Sequence, residues 1–341
     1  MHKAKRIFIV ADISNKPIKM FIDQMPKLAK GLIRLGHDVR MFSYCNALRQ
    51  CSPIDSKTFA SRFYKGRVDD MLASQVKEYC PDIVYVSFAR VLDSQTVERM
   101  RQSACHAVFI GGDGDPWPQL QKNRVETAKK LDIVTATNDG QFLQVYRDAG
   151  VPQCVYMPNM CDPDIDHRYV VPPNRNAAIL WTGKAGHSAA SDRVLRGDLV
   201  ERLAQRKDAA LYGCFDRPKI AGRDYLYAIS ASRIGITANA CKPVRLYHSD
   251  RLTHYLACGT MVLAEAIPDG EMLYHDNEHL RYFESVDECL ELADWYLQHE
   301  SERRAIADAG MKHVHDAFNC TRIAGYIMEL VETGRYEAPW I

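Results

Sequence analysis

The feature that most restricts what this chain can fold into is a repeated alternation of short apolar runs with longer amphipathic stretches. "RIFIVA" leads to "MFIDQMPKLAKGLIRLG", "HDVRMFSY" to "RVDDMLASQVKEYC", "DIVYVSF" to "SQTVERMRQS", "HAVFIGG" to "QKNRVETAKKL", and "DIVTATN" to "GQFLQVYRDAG". Continuous apolar runs mark strands buried on both faces, and the stretches between them supply the helical crossovers that parallel pairing requires. The proline-rich "VPQCVYMPNMCDPDIDHRYVVPPNRN" interrupts this rhythm and reads as an irregular connection between domains. Alternation then resumes through "AAILWTG", "DLVERLAQR", "AALYG", "RDYLYAISAS", "RIGITAN", "HSDRLTHYLACGTMVLAEA" and "HLRYFES", and closes on two helical segments. The pattern predicts an α/β protein with two Rossmann-like, doubly wound domains facing each other across a cleft at the carboxyl ends of their sheets. The expected divisions are 1–165, 166–318, and a C-terminal helix and tail at 319–341 that can pack back on the first domain.

Composition narrows the class. The 341 residues are 47% hydrophobic and 26% charged, as in globular proteins, and no apolar run approaches the ~20 residues that a bilayer span needs. The basic start feeds directly into a strand without a cleavage-like region, so the expected location is cytoplasmic, with contact to a membrane surface left open. Eleven cysteines without a Cys-x-x-Cys pair suggest neither a disulfide framework nor a zinc site. A net charge of +1 gives no general footprint for nucleic acid and argues against it as a partner.

In the second half, Arg251 is followed by His254 and then by Leu256-Ala257-Cys258-Gly259-Thr260 and an apolar strand. This run resembles the CgeB-like branch of GT-B glycosyltransferases, which reads approximately Ser-Arg-x-Phe-Glu-x-x-Ala-Cys-Gly. "YFESVDECLELADWYLQHESERRAIADAGMKHVHDAF" is similar to that branch's ending, and "ATNDGQFLQVYRDAGVPQCVYMPNMCDPDIDHR" to its domain junction. The resemblance covers roughly residues 105 to 320. It implies a nucleotide-sugar donor on the second domain, a glycan or other hydroxyl acceptor on the first, and transfer without an obligatory metal or other cofactor. This chain departs from the pattern at two acidic positions, where Leu246 and His254 stand. Their absence favours inversion over retention. A neutral imidazole at His254 could accept a ribose hydroxyl, whereas an imidazolium would favour phosphate.

A departing diphosphate must be stabilised by cations and oriented N–H groups when no metal does so. Lys242, Arg245 and Arg251 cluster ahead of a predicted helix, with Arg251 the foremost phosphate ligand; Lys242 and Arg245 serve equally as a solvated basic face. Gly259 and Thr260 end that helix and complete the expected donor segment. "WTGKAGHSAASDR" places Gly183, Lys184 and His187 in a loop at a strand end, suited either to phosphate or to an ordinary surface loop.

In the first domain "FIGGDGDPWPQL" offers Asp113 as catalytic base and Asp115 as a shaping group, although Asp-Gly and Asp-Pro also make plain turns. Trp117, between two prolines, could stack on an acceptor sugar or serve equally as a structural plug. Asp12 is a second base candidate and Asn15 an acceptor contact, and helix capping accounts for both equally well. Trp181 reads as core. A nucleotide-sugar epimerase and a non-catalytic sugar- or nucleotide-binding protein are the competing readings. DNA is a special acceptor variant.

Overall fold

The computed structural model describes residues 3–13, 22–88, 92–114, 116, 121–172, 177–185, 195–240 and 243–341. These fall into two compact units. One includes Asp23–Pro158 and Ile323–Tyr336, and the other Asn159–Arg322 and Glu337–Ile341.

The first unit holds strands β1 (Arg6–Ala11), β2 (Asp38–Ser43), β3 (Ile83–Ser87), β4 (Val108–Asp113), β5 (Ile133–Ala136) and β6 (Gln153–Tyr156). They pair in parallel in the order β2-β1-β3-β4-β5-β6. Helices α1 (Gln24–Arg34), α2 (Tyr44–Cys51), α3 (Lys57–Tyr79), α4 (Ser94–Ser103), α5 (Lys122–Ala128) and α6 (Gln141–Asp148) make the crossovers. Strands such as β1 form because their apolar residues are buried on both faces: Ile7 to Ala11 are all at most 3% exposed. Burial of each such side chain contributes roughly 1.5–3 kcal/mol. The helix α3 is capped by Ser56, whose hydroxyl accepts from the Phe59 N–H, and it stops at Cys80, where a left-handed residue precedes Pro81.

β6 corrects the sequence expectation. "QCVY" lies within the segment expected to be irregular, yet it pairs with β5 as the edge of the sheet. Flanking prolines suit an edge strand, where one side needs no ladder hydrogen bonds.

The second unit holds β7 (Ala177–Thr182), β8 (Ala209–Tyr212), β9 (Ser232–Thr237), β10 (Met261–Glu265) and β11 (Arg281–Phe283), parallel in the order β11-β10-β9-β7-β8. Its helices are α7 (Leu195–Ala204), α8 (Gly222–Ser230), α9 (Asp250–Ala257), α10 (Val286–Gln298) and α11 (Glu300–Ala317). Its core joins Ile179 and Trp181 of β7, Ile234 and Ile236 of β9, and Met261 and Leu263 of β10 with Leu199, Ala293 and Ile306 from the helices. A last helix, α12 (Cys320–Thr333), begins in this unit and continues in the first. Both sheets are doubly wound, as the alternation predicts.

Candidate anion site at the edge of the second sheet

In a doubly wound sheet the ligand crevice opens at the carboxyl ends of the strands where the winding direction reverses. In the second sheet β7 has β8 on one side and β9 on the other, so this point lies between the ends of β7 and β9. Arg251, in the first turn of α9, spans it. Its guanidinium donates to the Thr182 carbonyl at the end of β7, to the Ala238 carbonyl just after β9 at 3.1 Å, and through Nε to Ser249 Oγ at 3.3 Å. The half-buried guanidinium is paired with no carboxylate among the described residues. Each terminal nitrogen retains an N–H beyond these bonds.

Trp181 sets this cation in place. The Arg251 guanidinium lies 4.9 Å from its ring centroid and that of Arg196, on α7, lies 5.3 Å away. Arg196 in turn donates to the Lys184 carbonyl at 2.8 Å. Cation–π contacts of this kind contribute about 0.5–2 kcal/mol, more as water is excluded. Gly183 lies against both cations with φ of +130°, and a Cβ there would come within 2.6 Å of Arg251 Nη1. One turn along α9, the Tyr255 hydroxyl meets Thr182 Oγ1 at 2.7 Å and accepts from the Thr182 N–H at 3.1 Å. Arg251 and Tyr255 thus act as an i,i+4 pair gripping the end of β7.

The strap leading into α9 is held as firmly. Leu246 has a left-handed φ of +58°, which costs a leucine roughly 1–2 kcal/mol. Three hydrogen bonds over-determine it: Leu246 N–H to Pro268 O at 3.1 Å, Asn239 Nδ2 to Tyr247 O at 3.2 Å, and Asn159 Nδ2 to His248 O at 3.0 Å. Glu265, buried at the end of β10, accepts from the Asn239 N–H at 3.0 Å. His248 is buried against Tyr274, and burial pushes its pKa down to about 4.

Not every expected donor residue reaches this edge. Lys184 is exposed beside Gly183. Arg245 is bound by Asp269 at 2.6 Å. His254 does not fit the expected donor contact: its side chain has no exposed surface and meets the Tyr225 ring edge-on, centroids 5.9 Å apart. Gly259 and Thr260 are also corrected. They lie at the other end of α9, before β10 begins, where the Gly259 carbonyl accepts from Arg168 and the Thr260 hydroxyl donates to Ile229 O at 2.6 Å. Eight helical residues, about 12 Å, separate that end from the strand ends. His187 and Lys242 lie outside the described residues. Trp181 and Arg196 were not singled out as ligand-facing by the sequence. The available signal was an aromatic residue next to the last position of a strand, with an arginine in the following helix.

In the first unit the winding reverses between β1 and β3. Asp12 follows β1 directly and is exposed there, and the carbonyl of the next residue, Ile13, accepts from Ser43 and Asn46. Asp113 ends the neighbouring β4, one strand away from the reversal. Its buried carboxylate accepts from Arg124 on one oxygen and from the Tyr146 hydroxyl on the other at 2.6 Å. Asp113 thereby ties α5 and α6 to the strand end. The paired glycines before it admit protein rather than ligand: a Cβ at Gly111 would meet Leu131 at 2.4 Å and one at Gly112 would meet the Tyr85 hydroxyl at 2.5 Å. Asn15, Asp115 and Trp117 lie outside the described residues.

Among the described residues no group of three or more His, Cys, Asp or Glu side chains could hold a metal ion, and no helix is long and apolar enough to cross a membrane.

Residues 194–329 match the family described as glycosyl transferase-like. No curated protein matches the chain. A glycosyltransferase of Rickettsia africae ESF-5 shares 13% identity at a TM-score of 0.65, over 97% of this chain and 98% of that one. Anabaena HepE in complex with UDP and glucose shares 13% at 0.63, over 96% and 100%. An alpha-glucosyltransferase in complex with UDP-glucose and DNA containing an abasic site shares 10% at 0.62, over 97% and 100%. These likenesses establish the fold, which is GT-B.

Proposed function

We propose that the chain is a glycosyltransferase that takes a sugar from a nucleotide-sugar donor and passes it to a hydroxyl acceptor. The observation that carries this is the guanidinium of Arg251, held at the β7/β9 reversal with N–H groups to spare. In the reaction the acceptor oxygen bonds to the anomeric carbon as the bond from that carbon to the diphosphate oxygen breaks. Negative charge then grows on the departing diphosphate, and preorganised donors aimed there lower the barrier. Arg251 supplies the cation and the first N–H groups of α9 add their share. The acceptor proton passes to a base, for which Asp12 is better placed than Asp113. Inversion fits the two departures at Leu246 and His254, both of them buried, and transfer without an obligatory metal follows from the family resemblance.

A glycan of the cell envelope is the acceptor this reading favours, within the CgeB-like branch. The DNA bound in one solved relative keeps a nucleic-acid acceptor among those to be screened. The test is calorimetry and turnover with UDP-, GDP-, dTDP- and CMP-sugars on the whole chain. Arg251→Ala is expected to weaken donor binding at least tenfold, as loss of a charge-assisted contact does. Arg251→Lys keeps the charge but loses the fork, and should recover only part. Donor consumed without free nucleotide would instead mean epimerisation. Equal binding by wild type and Arg251→Ala would remove the assignment.

A further inference from the structure

Helix α3 has two faces with different tasks. Ala60, Val68, Leu72 and Val76 are fully buried and fix the helix to its unit. Phe59, Arg62, Phe63, Gly66 and Arg67 fall at i, i+3, i+4, i+7 and i+8 and so share another face. That face is apolar and cationic together. Phe63 is 62% exposed and Ile54, in the turn before the helix, is 52% exposed. The Phe59 and Phe63 ring centroids are 4.7 Å apart, and the Arg62 guanidinium lies 5.6 Å from the Phe63 centroid.

Charge follows the same division. Residues 57–67 contain Lys57, Arg62, Lys65 and Arg67 and no acidic residue. Lys65 turns inward to Asp69 and Asp93, whereas Arg62 and Arg67 are exposed and unpaired with any carboxylate among the described residues. Of the flanking carboxylates, Asp70 is engaged by Arg99 at 2.7 Å, and the exposed Asp55 lies 3.8 Å from Arg49. Gly66 weakens a helix interior relative to alanine, yet a Cβ there would meet nothing within 4 Å. Its own unit does not require that glycine, which leaves the face flat between Phe63 and Arg67.

We propose that the exposed side of α3 from Phe59 to Arg67, with the exposed Ile54 in the turn that leads into the helix, docks the protein on an anionic lipid surface. On such a surface the arginines would meet lipid phosphates while the neighbouring phenyl groups enter the acyl boundary. The exposed Ile54 favours lipid over nucleic acid, whose backbone offers an aliphatic group nothing. The proposal stands apart from the donor reaction, because it involves none of the residues assigned to the anion site.

Co-sedimentation of the whole chain with phosphatidylcholine vesicles, with and without phosphatidylglycerol, tests it. Binding is expected to the anionic vesicles, falling with salt, and to drop about fivefold for each cation removed in Arg62→Gln and Arg67→Gln. Phe63→Ser should lower it further at unchanged salt dependence. Melting temperature and donor binding should stay at wild-type values in all three, since the side chains are exposed; if Phe63→Ser melts early, the arginine variants decide. Equal partition to both vesicle types, no partition, or variants that bind as wild type would overturn the proposal. So would self-association or RNA binding that the same variants abolish while vesicle binding stays absent.

Discussion

At the scale of single residues, the proposed anion site depends on a carbon atom that is missing. Gly183 permits both the turn after β7 and the approach of the Arg251 guanidinium, and its φ of +130° lies where other residues are strained. Gly183→Ala should cost about 1–3 kcal/mol in urea unfolding. Because the added Cβ displaces Arg251 Nη1, donor affinity should fall beyond what lost stability explains, measured by calorimetry at a temperature where the variant is still folded. An alanine variant with full donor affinity would mean that this turn does not shape the site. Asp113 teaches the converse. An acidic residue after a buried strand looks catalytic by its letters, but only the partners Arg124 and Tyr146 show where its lone pairs are directed.

At the scale of elements, the histidines around α9 and α11 link packing to pH. Burial pushes His248 down to about 4, and burial followed by the charge of stacked His313 pushes His279 down to about 4. Both are neutral when folded and regain an ordinary value near 6.5 when unfolded. Between these values the unfolded chain binds more protons, so stability is full above pH 6.5 and is lost as pH falls toward 4. The loss for His248 is on the order of 3 kcal/mol. Urea midpoints at pH 7.5, 6 and 5 should decline, and His248→Gln should flatten that decline; an unchanged slope would show that His248 is not the group titrating.

Elements were also what the sequence disclosed best. Strands such as "RIFIVA" and "RIGITAN" are legible because burial on both faces writes continuous apolar runs, and the crossovers carry their own periodicity. β6 was hidden by its prolines. Arg251 could be picked out because it opens a helix after a polar strap. Arg196 could not, since "VLRGDLVERL" looks like any solvated helix face until Trp181 is brought beside it. The inward turn of His254 depends on Tyr225, a residue of another helix, and no spacing along the chain reveals it.

At the scale of the molecule, two sheets with separate cores need not melt together. A donor nucleotide that binds only the second unit stabilises it by mass action, about 2.7 kcal/mol at a concentration one hundred times the dissociation constant. Scanning calorimetry with and without nucleotide should therefore move the transition that contains the second unit. Movement should be absent in Arg251→Ala. A nucleotide that shifted both proteins equally would be binding elsewhere.

The path of the chain has a further consequence, for biosynthesis. The helix α12 and the residues just after it supply Ile323–Tyr336 to the first unit, where the Tyr336 hydroxyl donates to the Tyr156 carbonyl and Gln153 to the Gly334 carbonyl. These residues are translated after the whole of Asn159–Arg322. On the ribosome the unit that starts first is thus completed only after nearly all of the other, with Glu337–Ile341 alone still to come: its β6 edge waits unclosed while the second sheet emerges and folds, and a nascent chain halted before residue 323 leaves that edge open to a chaperone or to another strand.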